Sequence, residues 1–540
     1  MQTNDALYDV IIVGYGPTGL VLASLLGQLG HRVAVVERWP QLYGLPRLTH
    51  IDGETARLVS LVCDGDHALR ESWTTPHYNW VNGKGTLLLD VGAGNTRKMI
   101  WDDHISVHQP HIEEAIDERV RAMQNVTFFR GHVAADLQQK GGIVELKIQP
   151  WTKGQAADAA GVGSVLRGRY LVGADGSKSF VRNALGVAVT DFGFNERWLC
   201  VDTVPKRPLP PSFDANAVQV CDPKRGHMFM PIGKKRQRFE FALLRSETKE
   251  EMEQPEAAWR LLKQYHGLGP DDLTFMRRLI YTFECRLAQK WRVGNVFLAG
   301  DAAHTNPPYL GQGACSGMRD ASNLAWKFDL VLRGLAKDAL LDSYEPEREP
   351  HAKTLMLGSR SLGMVANTSN PIKAAVRDLL FRFKLTPPPP VFPTLTDGVL
   401  QRKDDGSLAP QAGGLPGQGH LVMGGERRRF DQHSGYAFTL LLRRDPGLAI
   451  SSRRRADLKA MNANLFVLEA TASGAGFQQV FDADGVYRKL LDELGADAVL
   501  LRPDFVLYGH ASMAAVDDLL QGLTQQLQCT SASAPAPQAA

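Results

Sequence analysis

Tyr8–Gly19 reads YDVIIVGYGPTG. An apolar run rich in Val and Ile passes directly into Gly14-Tyr15-Gly16-Pro17-Thr18-Gly19, and a helical pattern then runs to Leu29 and stops at Gly30. Such a run is what a parallel strand buried on both faces requires. In a Gly-x-Gly-x-x-Gly turn the first glycine permits the tight turn. The second lets a pyrophosphate approach the backbone, and the third lets helix and strand pack closely. The helix N-terminus that follows, with Pro17 and Thr18 in the turn before it, faces the anion. A second strand, Arg32–Val36, leads to Glu37 and Arg38, where an acid accepts hydrogen bonds from a ribose. This start predicts nucleotide binding within an α/β fold. It does not separate NAD from FAD, because both present an ADP half.

At 540 residues the chain exceeds one hydrophobic core, so two or three domains are expected. A net charge of +3 excludes a dedicated binder of nucleic acid or anionic membrane. The basic triplets Arg427–Arg429 and Arg453–Arg455 read as solvated faces. Six scattered cysteines without Cys-x-x-Cys or zinc-type spacing suit a reducing compartment and predict no metal site. With no basic leader and no apolar run of membrane-spanning length, the expectation is a cytoplasmic protein.

Along the chain, a helix is expected over 110–123, strands over 126–149 and 165–172, and an Ala/Gly-rich loop over 154–163. Shorter strands follow at Ala217–Val220 and Phe239–Leu244, then a long helical region from Asn323 to Phe383. TPPPPVFP, Thr386–Pro393, is a stiff spacer and marks a boundary. One small α/β unit follows, closing with a helix over Ala514–Leu527 and a disordered tail at 530–540.

Two later motifs decide between the cofactors. YLVGADG, Tyr170–Gly176, is a strand entering a turn at Asp175, and VFLAGD, Val296–Asp301, is another ending in Gly300-Asp301. The second opens GDAAHTNPPYLGQGACSGMRDASNLAWK, Gly300–Lys327. With all three motifs in order, the chain resembles the class A flavoprotein aromatic hydroxylases. It is most similar to their 3-(3-hydroxyphenyl)propionate hydroxylase branch, which Arg502-Pro503-Asp504 also supports. The resemblance covers roughly 8–510 and specifies fold and cofactor far more than substrate.

The resemblance implies a Rossmann-type FAD-binding domain in two parts, 1–186 and 291–385. A mixed-sheet substrate domain, 187–290, is inserted between them. After the 386–393 linker comes a thioredoxin-like domain, 394–529, which lacks Cys-x-x-Cys and so has a structural or homodimer-forming role. FAD is the implied cofactor and NADH or NADPH the transient donor, since no second Gly-x-Gly-x-x-Gly follows a strand. O2 then reacts through a flavin C4a-hydroperoxide with a small phenolic substrate such as a 3-hydroxyphenylpropionate-like acid. Alternatives are a nitro-substituted catechol losing nitrite, a polyketide ring, or, in another class, an NAD-dependent dehydrogenase or a flavin-binding sensor.

The implied FAD contacts include Asp301 on the ribityl chain, with Pro308 stiffening the turn that brings Gly311, Gly313, Ala314 and Cys315 to the ring. Arg47 and Gln109 match flavin-side residues of the family. Two departures are Cys315, where many relatives carry Asn, and Leu48-Thr49-His50, where relatives more often have Ala directly after the arginine. For the catalytic base the candidates are Asp52, which also suits a helix N-cap, His227 and Tyr281. Arg236 and Arg238 alternate with Phe239 and Phe241 and read as the wet face of a strand.

Overall fold

A computed structural model describes residues 3–90, 98–151, 163–214, 216–385, 392–469 and 476–528. The loop expected over 154–163 (apart from Gly163), the Pro-rich spacer (apart from Phe392 and Pro393) and the 530–540 tail lie outside the described residues.

The chain opens with β1 (Thr3–Val13), α1 (Pro17–Gln28) and β2 (Val33–Glu37). Then come α2 (Gly53–Val62), β3 (Tyr78–Asn82), α3 (Gln109–Arg121), β4 (Val126–Arg130) and β5 (Ser164–Gly173). A mostly antiparallel stretch follows: β6 (Val189–Pro205), β7 (Ala217–Cys221), β8 (His227–Ile232), β9 (Arg236–Ala242), α4 (Pro255–His266) and β10 (Leu273–Ala288). The chain returns through β11 (Val296–Leu298), α5 (Gly313–Leu332) and α6 (Tyr344–Ala366).

β11-β5-β1-β2-β4 run parallel, with Val10 paired to Val33 and to Tyr170. Val10–Val13 and Val33–Val36 are buried on both faces, which explains their unbroken apolar sequence. The second sheet has the order β10-β6-β9-β8-β7-β3. It is not confined to 187–290: β3 pairs in parallel with β7, Tyr78 opposite Ala217, and His304–Thr305 pairs with β10.

Strand alternation gives this second sheet two distinct faces. Leu199, Val201, Phe229, Phe239 and Phe241 pack on Leu261 and Leu262 of α4, and each large side chain so buried contributes roughly 1.5–3 kcal/mol. The opposite face carries Cys200, Asp202, Met228, Met230, Arg238 and Glu240, related by the pairs Cys200–Glu240, Asp202–Arg238 and Met228–Glu240. Arg238 is therefore not on a wet face; it is buried beside Asp202.

The expected long helix is three. Gly334, at φ +70°, follows the end of α5, and Asn370-Pro371 starts a separate helix, Pro371–Arg382. The last part of the chain forms β12 (Thr439–Leu442), β13 (Asn464–Val467), β14 (Ala498–Leu501), β15 (Leu507–Ala511) and α7 (Val516–Gln526). Its sheet has the order β13-β12-β14-β15.

Two buried ionic contacts tie that part to the first sheet's helices. Arg57 of α2 pairs with Asp431 at 2.6 Å. Arg502 reaches both Glu347 of α6, at 2.7 Å, and Asp504, while Lys327 of α5 reaches Glu347 at 3.0 Å. Burial pushes the Glu347 carboxyl up, but Arg502 and Lys327 outweigh it and hold it down at about 2. Arg502→Ala leaves the buried Glu347 with Lys327 alone and takes the arginine from Asp504, and is expected to lower stability by about 3–5 kcal/mol in denaturant unfolding at pH 7. Because the folded pKa is depressed, that loss shrinks as pH falls through the unfolded value near 4 toward 2. A loss below 1 kcal/mol at pH 7 contradicts this.

Candidate active site

The site begins where β1 meets α1. Gly14 has φ +100°, and a Cβ there would lie 2.3 Å from the Ala174 carbonyl oxygen, so only glycine fits between the two strand ends. Gly16 is its opposite: a Cβ would meet nothing within 4 Å. No side chain caps α1, which starts at Pro17, so its first N–H groups stay available. The Gly19 Cβ position abuts the Gly14 carbonyl, which sets it in the helix–strand contact behind the turn. Glu37, at the end of β2, accepts from the Tyr15 and Trp39 backbone N–H at 2.8 and 2.9 Å.

A second open helix end faces the first across a cavity of ≈550 Å³. α5 starts at Gly313 without a side-chain cap, because the Gln312 side chain accepts from Arg319 instead, at 2.9 Å. Gly311 precedes it at φ +64°. The Gly300-Asp301 turn is held from behind by Asp320. Its carboxylate accepts from the Gly300 N–H at 3.0 Å and pairs with His304 at 2.8 Å and Arg348 at 2.9 Å. Asp301 lines the cavity with its side chain open to it, and the protein packed around it pushes its carboxyl up.

Asp175 accepts from the Val181 N–H through one oxygen, and its other oxygen is buried without a partner. Gln109 takes the Arg47 and Leu48 N–H groups on its oxygen at 2.7 and 2.6 Å and donates to Glu113, which burial pushes up to about 7. Arg47 lies over the Tyr43 ring, 4.6 Å from its centre.

One cavity thus gathers Gly14, Gly16, Pro17, Thr18, Glu37, Arg38, Arg47, Gln109, Asp175, Asp301, Pro308, Gly311, Gly313 and Ala314. Two uncapped helix N-termini, open space beside Gly16 and a carboxylate oxygen of Asp175 without a hydrogen-bond donor fit a long, hydroxyl-rich, anionic dinucleotide. The family model for an FAD binding domain matches residues 7–359. The chain belongs to the FAD-dependent aromatic hydroxylases. A second model, the HcaD C-terminal domain, matches 418–526.

The hydroxylase is 34% identical to a probable NADH-specific resorcinol 4-hydroxylase of Rhodococcus jostii (strain RHA1), over 98% of this chain and 96% of that one. It is also 34% identical to a 3-(3-hydroxy-phenyl)propionate/3-hydroxycinnamic acid hydroxylase of Comamonas testosteroni, over 72% of this chain and 64% of the relative. In fold it matches the flavin-dependent monooxygenase PieE, solved with FAD and substrate, with a TM-score of 0.79 and 20% identity over 97% and 99% of the two chains.

The geometry corrects five of the expected site residues. Asp52 is the N-cap of α2, accepting from the Thr55 N–H at 2.8 Å and pairing with Arg319 at 2.5 Å. Burial pushes its carboxyl up, but Arg319 and Thr55 hold it well below the usual carboxylate range, and it does not line the cavity. His227 is one residue out of phase with Met228, so it faces α4, its ring 4.5 Å from that of Tyr265. Tyr281 stands opposite Trp198 on the same face of the sheet but does not line the cavity, and its hydroxyl accepts from Arg277 at 3.3 Å. The Cys315 thiol turns back to the Gly311 carbonyl at 3.6 Å. Gly300, too, lies behind the wall, against Thr18.

The sequence reading missed Trp198, Met228, Met230, Glu240 and Tyr309, all on the wall. The signal for Glu240 was present: it lies between Phe239 and Phe241, in phase with Arg238.

Gly16 supplies a clean probe, since its φ of −79° suits any residue. Gly16→Val is expected to fold, with an unchanged far-ultraviolet circular dichroism spectrum, and to purify without flavin absorbance. A full FAD complement in this variant contradicts the cradle.

Proposed function

We propose that this hydroxylase acts on a small uncharged phenol of the resorcinol kind, using NADH as donor. One observation carries the substrate reading. Of the cavity-lining residues on the second sheet, Arg238 alone is cationic among those described, and Asp202 neutralises it at 2.6 Å. The same face presents Trp198, Met228 and Met230 with a carboxyl, Glu240, so a substrate carboxylate would meet no free cation on that face. The Rhodococcus relative, whose printed name is NADH-specific resorcinol 4-hydroxylase, supports both the substrate and the donor.

In this reading the open end of α1 holds the pyrophosphate of FAD and Glu37 the adenosine ribose. Asp301 accepts from the ribityl hydroxyls, and Gly313 and Ala314 donate backbone N–H groups to the electron-rich edge of the ring. FAD held there would supply the redox chemistry, hydride acceptance from the nicotinamide and activation of O2. Net, one oxygen atom of O2 enters the ring and the other leaves as water, with NADH supplying two electrons. The chain's own work is to hold the phenol against Trp198, Met228 and Met230 and to keep water from the reacting faces. The arrangement that serves this is a Rossmann-type domain, an inserted mixed sheet and a thioredoxin-like C-terminal domain without redox cysteines.

Two outcomes test this. Resorcinol is expected to stimulate NADH oxidation and yield a product one oxygen heavier, with kcat/KM at least about tenfold above that for 3-(3-hydroxyphenyl)propionate. A preference for the acid contradicts the uncharged-substrate reading. Asp301→Ala is expected to weaken FAD binding by roughly 1.5–3 kcal/mol, about ten- to a hundredfold in Kd. Unchanged FAD affinity removes Asp301 from the cradle.

A further inference from the structure

We infer that Glu240 is the residue that accepts the phenolic proton of the substrate, next to the fixed positive charge of Arg238. The inference rests on the phenol-hydroxylase reading and goes beyond it by assigning the base.

Glu240 lies on the cavity wall in β9 and is 5% exposed. A buried carboxylate is normally matched by strong donors. The guanidinium nearest to Glu240 is already committed. Arg238 Nε donates to Asp202, Nη1 to the Arg47 carbonyl, and Nη2 to the Pro46 carbonyl and Asp202. What remains for Glu240 is a 3.6 Å approach from Arg238 Nη1 and the neighbouring Cys200 thiol. The face around it holds Met228 and Trp198, so a ring can lie beside it and a hydroxyl can donate to it.

The proton step balances within the site. The phenol O–H bond breaks, the proton passes to a Glu240 carboxylate oxygen, and the electron pair stays on the phenolic oxygen. There it enriches the ortho and para carbons for attack by the activated oxygen, and Arg238 offsets the new negative charge. Burial raises the Glu240 pKa against the opposing pull of Arg238, which brings the carboxylate closer to a useful base strength.

The charged and titratable groups around Glu240 are Arg238 on its own strand, Cys200 and Asp202 on β6, Arg277 on β10 and Tyr78 on β3. Burial pushes Cys200 and Tyr78 up, away from acid titration. His50, also on the cavity wall, is held at about 4 by burial.

The test is E240Q as holoenzyme, with resorcinol, measuring product formed per NADH consumed between pH 5 and about 9. The variant is expected to keep FAD and substrate-stimulated NADH oxidation, but to yield about tenfold less product, with H2O2 in its place. In the wild type, coupling should fall as pH drops through the raised Glu240 pKa; in E240Q that acid limb should vanish. E240D should restore the limb. If the wild type forms product and E240Q matches it in coupling and pH profile, Glu240 is overturned and the hydroxylase reading stands. A wild type that hydroxylates no phenol overturns both.

Discussion

Asp202 carries no solvent exposure and sits between two guanidiniums, Arg238 at 2.6 Å and Arg277 at 2.7 Å. A carboxylate so placed would be very costly alone, and each arginine would be costly without it. Together they leave N–H groups over, which donate to the Pro46 and Arg47 carbonyls. Those carbonyls belong to the loop after β2, on the first sheet's side of the cavity. The triad thus pins the edge of one sheet to the face of the other, and the cavity is the space between them. Glu240, close to the same arginine, makes the cluster two carboxyls against two guanidiniums.

The other half of the site depends on bonds left unmade. α1 and α5 both begin without a side-chain cap, a state that leaves backbone donors open toward the same cavity. Asp52 caps α2 and Asn370 caps the helix at Pro371, whereas α3, α4, α6 and α7 also begin without a side-chain cap. The open start of α5 has a visible cause, since Arg319 draws the Gln312 side chain aside while also pairing with Asp52 and Glu54. Asp320, buried behind Gly300, holds the turn that presents Asp301. The cradle is therefore preorganised by ion pairs one layer behind it, as electrostatic stabilisation of an anionic ring requires.

What the sequence disclosed was whatever is coded locally. The glycines at 14, 16 and 19, the strand before them and the acid at 37 form one continuous grammar, so a nucleotide-binding fold was readable from it, while the choice of FAD needed the Asp175 and Gly300-Asp301 motifs as well. The Gly300-Asp301 turn was readable for the same reason. The phenol side was not, because it is assembled from six strands, some far apart in sequence. Whether Arg238 faces water or a cavity is decided by what packs on that face, and a single strand carries no record of that. His227 failed by one residue of register: the alternation sends it to α4 and Met228 to the wall. Asp52 could be read two ways from its position, and the helix cap, strengthened by Arg319, is the one the fold uses. Arg502-Pro503-Asp504 was legible as a signature and silent as to cause, which is the buried pairing with Glu347.

The central claim is that flavin, O2 and a phenol meet in the space between the two sheets. Its most direct measurement is turnover of the holoenzyme under isotopically labelled dioxygen, with mass spectrometry of the product. The account predicts that the new ring hydroxyl carries one atom from O2, with NADH and product in equal amounts. A hydroxyl derived from water, or oxidation of NADH with the phenol left unchanged, would contradict it.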